Sequence, residues 1–142
     1  SSYFFKLIMI YLFNKGGLAM KYYGIKEAAA RTGLTAYTLR YYDKMGLLPF
    51  VERSESGLRK FKEEDFERLE LINCLKDTRM KLEEIRIFME WSLEGNETLK
   101  QRLQLFRDRK KAVNEQIAKL KDTRERLEHK IECYEKAIEA EI

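Results

Sequence analysis

Residues 33–61, reading GLTAYTLRYYDKMGLLPFVERSESGLRKF, decide the fold. Gly33-Leu34-Thr35 is a turn signal after the Ala-rich run Ala28-Ala29-Ala30, and Thr35 is a natural N-cap for a short helix running to about Lys44, with Gly46 as its stop. Upstream, Ile25, Ala28 and Ala29 fall at helical spacing, so Ile25 to Thr32 is predicted as a helix with Gly24 as a weak N-cap. Two helices of about two turns joined by a tight Gly-containing turn read as a helix-turn-helix, whose second helix is the one that enters a major groove. That second helix carries Tyr37, Thr38, Arg40, Tyr41 and Tyr42, side chains able to reach phosphate oxygens and base edges. Beyond Leu47-Leu48-Pro49, Arg53 to Phe61 reads as a hairpin with a polar tip and a basic returning arm. It forms a wing that offers Arg53, Arg59 and Lys60 to a neighbouring groove. Leu39 and Leu47 are expected in the core.

Downstream the pattern becomes wholly helical. Glu63-Glu64-Asp65 puts three carboxylates in the first turn of a third helix, where they favour the positive end of its dipole. Phe66, Leu69, Ile72 and Leu75 give that helix one apolar face. Leu82, Ile85, Phe88 and Met89 define a fourth helix ending near Trp91 or Ser92, and Gly95-Asn96 breaks the pattern before Thr98, which can cap a fifth helix. From Leu99 a heptad seam runs through Leu103, Phe106, Lys110, Val113, Ile117, Leu120, Arg124, Leu127, Ile131, Tyr134 and Ile138, ten of its twelve positions apolar. A helix of about forty residues is ~60 Å long and is not stable alone with such a stripe in water, so it demands a partner helix. Lys110 and Arg124 can cover the seam with their stems while their charges reach solvent.

The fold class is therefore all-α with a small β wing: a winged helix-turn-helix domain over 20–92 and a dimerisation helix over 97–142. Charge divides the same way. Residues 21–62 carry nine Lys/Arg against four Asp/Glu, whereas 63–142 carry seventeen against twenty, so the basic end is the one suited to a phosphate backbone. Residues 1–19 are of another kind. Tyr3 to Phe13 is an apolar run broken only by Lys6, too short for a bilayer, which needs ~20 apolar residues. Lys15-Gly16-Gly17-Leu18-Ala19-Met20 can be encoded by a purine-rich ribosome-binding site with a start codon at Met20. We therefore expect 1–19 to be a translated upstream leader rather than native sequence.

Catalytic chemistry has little to stand on. The two cysteines, Cys74 and Cys133, lack the close spacing of structural zinc, and one histidine, His129, offers no evident nucleophile pairing. Carboxylates alternate with Lys and Arg along helices as solvated pairs do, and no Gly-rich phosphate loop is present. A non-enzymatic protein of a reducing cytoplasm is expected, without cofactor, metal or membrane partner.

Thr38 to Leu48, with Arg53 and Ser56-Gly57-Leu58-Arg59-Lys60-Phe61, resembles the MerR family of bacterial transcription regulators, over about Tyr23 to Trp91. The resemblance implies a homodimer whose long helices pair antiparallel through Leu103, Phe106, Val113, Ile117, Leu120, Leu127, Ile131 and Tyr134. It also implies binding to double-stranded promoter DNA, with activation by bending and untwisting the promoter so that RNA polymerase engages both of its recognition elements. The family usually has Gly in the turn between the third and fourth helices and Ser or Thr as the next cap. Here Arg79 and Lys81 stand there, so a strained turn or another conformation is expected. Metal-sensing members place Cys near the start of the dimer helix, and Gly95 to Arg102 has none. Leu71-Ile72-Asn73-Cys74-Leu75 instead resembles the thiol-based branch responding to aldehydes and other electrophiles or oxidants, in which a lone Cys at the position of Cys74 is the sensor. Cys133 reads as packing. Two alternatives stay open: a small-molecule pocket lined by aromatics such as Phe88, Trp91 and Phe106, and an architectural DNA-bending or coiled-coil adaptor protein.

Overall fold

In a computed structural model, which describes residues 21–141, the chain is helical apart from one short hairpin. The leader expected over 1–19 lies outside the described residues. Helices α1 (Ile25–Thr32) and α2 (Ala36–Lys44) are followed by strands β1 (Glu52–Arg53) and β2 (Arg59–Lys60), then by α3 (Glu63–Asp77), α4 (Leu82–Leu93), a 3-10 turn (Gly95–Thr98) and α5 (Leu99–Glu141). Two compact units result, with the boundary between Asn96 and Glu97.

The turn between α1 and α2 is built as its residues dictate. Gly33 sits in the left-handed region (φ 71°), its N–H reaching the Ala29 carbonyl at 3.1 Å, a conformation that glycine adopts without a Cβ penalty. Thr35 then caps α2, its side-chain oxygen accepting from the Thr38 N–H at 3.0 Å. Helix α1 packs on both α2 and α3, and α4 packs on α3. The core they enclose includes Ala28, Leu39, Leu47, Leu69, Ile72, Ile85 and Met89, all fully buried. Phe66 and Leu75 complete the expected apolar face of α3, and Phe88 of α4 is buried in the same core.

Strands β1 and β2 pair antiparallel, Glu52 with Lys60 and Arg53 with Arg59. Tyr23 adds a third short segment by exchanging two backbone hydrogen bonds with Phe61, at 2.8 and 2.9 Å. The hairpin is thereby stitched to the residues that lead into α1. Helix α3 opens with the Lys62 N–H donating to the Asp65 carboxylate at 2.8 Å, and Asp65 is wholly buried. Arg31 on α1 makes a two-pronged bond to Glu63, at 2.7 and 2.8 Å, and the Tyr23 hydroxyl donates to the same carboxylate at 2.7 Å.

The α3–α4 turn resolves the expectation about Arg79. Met80 N–H returns to the Leu75 carbonyl and Arg79 N–H to that of Lys76, the paired pattern that ends a helix on a left-handed residue. That residue is Arg79 at φ 65°, the one non-glycine with positive φ among the described residues. Lys81 precedes α4 without a side-chain capping bond. The turn therefore keeps the glycine conformation without the glycine, and Met80 is buried behind it.

Candidate nucleic-acid interface

Helix α2 has two unlike faces. Leu39 and Tyr42 point into the core, whereas Tyr37, Arg40, Tyr41 and Lys44, at three- and four-residue steps, form an exposed row. Tyr37 is 79% exposed and Tyr41 42%. This row is what an α-helix presents to a groove, with aromatic faces and cations side by side.

Tyr42 corrects the sequence reading. It was expected beside Arg40 and Tyr41 as a DNA contact, but it is 2% exposed and its hydroxyl accepts a 2.6 Å bond from Lys76 of α3. The physical reason is the helical period. Position 42 lies three residues after Leu39 on the buried face, and burial of the ring becomes affordable once the hydroxyl is satisfied. Thr38 is half-buried and belongs to the cap, its hydroxyl accepting from the Thr35 hydroxyl at 2.9 Å.

The wing is held to α2 by a residue that sequence reasoning passed over. Asp43 Oδ2 accepts from Arg53 Nη2 and from Arg59 Nε, each at 2.6 Å, and its side chain is only 16% exposed. One carboxylate oxygen on α2 thus gathers a guanidinium from each wing strand. Arg53 also donates to the Gly57 carbonyl at 3.1 Å, and the Leu58 N–H donates to the Ser54 hydroxyl at 3.1 Å, fixing the tip. Gly57 turns there with φ 85°. Such charge-assisted bonds, partly withdrawn from water, hold geometry better than neutral ones. The only sequence signal for Asp43 is an acid on an otherwise basic helix, opposite a basic hairpin.

Lys60 lies with its ammonium 4.0 Å from the ring centre of Tyr22. Between wing and helix a groove of about 610 Å³ is lined by Arg40, Ser54, Ser56, Arg59 and Lys60 together with the 22–26 segment. Hydroxyls, two arginines and two lysines line it, which suits an anionic backbone.

Other expected residues are not part of this surface. Cys74 is exposed on α3 and Cys133 on α5, both unbridged. Cys133 Sγ lies 3.7 Å from His129 Nε2, one turn away. No group of three possible metal ligands occurs among the described residues, nor does a helix long and apolar enough to cross a membrane. On α5 the seam residues Leu103, Phe106, Ile117, Leu120, Leu127, Ile131 and Tyr134 are exposed, and Val113 is half-buried.

Both the sequence and the fold have known relatives. Residues 23–91 match the family described as MerR HTH family regulatory protein, and 66–130 match that described as MerR, DNA binding. An HTH-type transcriptional regulator of Haemophilus influenzae is 46% identical over 115 residues, covering 81% of this chain and 85% of that protein. The HTH-type transcriptional regulator AdhR of Bacillus subtilis is 35% identical over 91 residues, covering 64% of this chain and 65% of the relative. Among solved structures, HiNmlR, described as a MerR family regulator lacking the sensor domain and bound to promoter DNA, superposes with a TM-score of 0.74 at 45% identity. That match covers 82% of this chain and 93% of the other.

Proposed function

The chain belongs to the MerR family of helix-turn-helix DNA-binding transcriptional regulators, and from that premise we propose that it works as a homodimer on a near-palindromic promoter site. One α2 row and one wing read each half-site. The observation that carries this is the exposed Tyr37, Arg40, Tyr41 and Lys44 row beside a wing fixed to the same helix through Asp43. The promoter-bound relative at 45% identity supports it. The second unit supplies the pairing helix, and the two half-sites are held at a fixed spacing by it. A dimer with two geometries, one of which distorts the DNA, turns deformability into a switch over access by RNA polymerase.

The signal in this proposal is an electrophile acting on Cys74. Its support is an exposed, unbridged thiol on α3 and the identity to AdhR. In the chemistry proposed, the sulfur attacks an aldehyde carbon, a C–S bond forms, and the carbonyl oxygen takes up the proton, with no oxidant needed. The test uses Cys74→Ala beside Cys133→Ala. Cys74→Ala is expected to keep operator affinity and lose aldehyde-induced transcription in vitro, while Cys133→Ala keeps both. An unchanged response in Cys74→Ala removes the sensor and leaves the regulator standing.

A further inference from the structure

The segment before α1 does more than stitch the hairpin in place. Tyr23 pairs with Phe61 and Glu52 with Lys60, so three short segments lie side by side, and alternation along them sorts their side chains onto two faces. Tyr23 and Phe61 take the inner face, their ring centres 5.4 and 6.5 Å from that of Phe66. Tyr22, Glu52, Lys60 and Lys62 fall by the same register on the outer face, where opposite and diagonal neighbours meet.

On the outer face the two lysines are held in different ways. Lys62 Nζ lies 3.8 Å from the Glu52 carboxylate. The Tyr22 hydroxyl donates to the same carboxylate, which raises the hydroxyl pKa and keeps its proton in place. Lys60 instead has its ammonium 4.0 Å from the centre of the Tyr22 ring. A carboxylate partner offsets a lysine's charge, whereas the face of an aromatic ring attracts the cation and leaves that charge whole. Arg53 and Arg59 of the same hairpin share the Asp43 carboxylate, so Lys60 is the wing cation whose holder carries no charge. Tyr22 and Lys60 both line the groove that Arg40 of α2 and Ser56 of the wing tip also line. A lysine ammonium swings on a flexible four-carbon stem, and ordering such a side chain when a partner arrives subtracts from affinity. A ring already in contact with the ammonium removes part of that loss.

We propose that Tyr22 is a positioning residue for DNA binding, its ring holding the Lys60 ammonium at the groove so that it meets a backbone phosphate of the duplex with little further ordering. This rests on the DNA-binding reading above and adds to it a residue outside both α2 and the wing. The effect is independent of base sequence, because a phosphate contact carries no base information. The test therefore uses the full chain and a fluorescein-labelled random-sequence duplex at low salt, read by anisotropy. Tyr22→Leu, which keeps apolar bulk but has no ring, is expected to weaken binding about threefold. Tyr22→Phe, which keeps the ring, should bind as the parent does. In a Lys60→Ala background, Tyr22→Leu should have no further effect. A loss that is the same with and without Lys60 means that Tyr22 acts by itself and overturns the proposal. Tyr22→Phe as weak as Tyr22→Leu overturns it too, by assigning the effect to the hydroxyl. The stack has its own signature in NMR: the Lys60 ε-methylene protons should be shifted upfield by the ring in the parent and in Tyr22→Phe, and not in Tyr22→Leu. Unshifted Lys60 methylene signals in the parent overturn the positioning role even if Tyr22→Leu fails to fold. All these outcomes leave the DNA-binding reading standing, whereas a parent that retains no duplex at low salt overturns that reading and this one with it.

Discussion

Arg79 shows what a single residue can cost. A side chain held at φ 65° brings Cβ against the following carbonyl, a penalty of about 1–2 kcal/mol that glycine would escape in return for some entropy in the unfolded chain. Arg79→Gly is therefore expected to stabilise the protein by about 1 kcal/mol, raising Tm by a few degrees in a thermal melt. A Tm that falls would mean the Arg79 side chain makes up the difference. Glu63 gives a residue-scale dependence on pH. The Arg31 guanidinium bonded to it, helped by the Tyr23 hydroxyl, holds its carboxyl below the ordinary value of 4.5. Its contribution is complete above that value and is lost as pH falls through the lowered one. Both partners are more than a third exposed, so screening limits the pair to about 0.5 kcal/mol. Denaturant melts of Glu63→Gln should show a deficit of that order at pH 7 that closes below pH ~4.5. A deficit that persists in acid would assign the effect to packing.

At the scale of elements, α2 and the wing are joined into one surface because Asp43 ties them. Two-residue strands joined by the five-residue tip 54–58 have little stability of their own, and their placement rests on the backbone exchange with Tyr23 and on the Asp43 carboxylate. Asp43→Asn removes one negative charge from the basic face, which by electrostatics alone would strengthen binding to any duplex. If Asp43 positions the wing, operator affinity measured by fluorescence anisotropy should instead fall, by about tenfold, with nonspecific affinity unchanged or higher. Equal strengthening on both duplexes would show that Asp43 is only a charge.

For the whole molecule, affinity and specificity should separate by residue. Operator binding is expected to weaken steeply with salt, with a log–log slope of about −0.9 per neutralised phosphate. Lys44→Ala and Lys60→Ala should each reduce the slope by about one unit and weaken all duplexes alike, whereas Arg40→Ala should erode the preference for operator over random duplex by about tenfold or more. Anisotropy titrations across a salt series distinguish these, and identical behaviour of all three variants would deny Arg40 a base-reading role. The seam on α5 acts at this scale too, since an exposed apolar stripe along a helix of this length is not an end state in water.

The sequence by itself determined the order of elements, the helix-turn-helix, the wing and the apolar seam along α5. Each is written in local chemistry: a Thr cap, a Gly at positive φ, a polar hairpin tip, a period of three and four. Only the tertiary structure decided which side of α2 each side chain takes and which contacts hold the wing. Tyr42 moved from interface to core because Lys76, distant in sequence, satisfies its hydroxyl, and Asp43 emerged as the anchor because two strands deliver Arg53 and Arg59 to one carboxylate. Local periodicity states that a helix has two faces, but the assignment of a residue near their border depends on partners brought in by the rest of the chain.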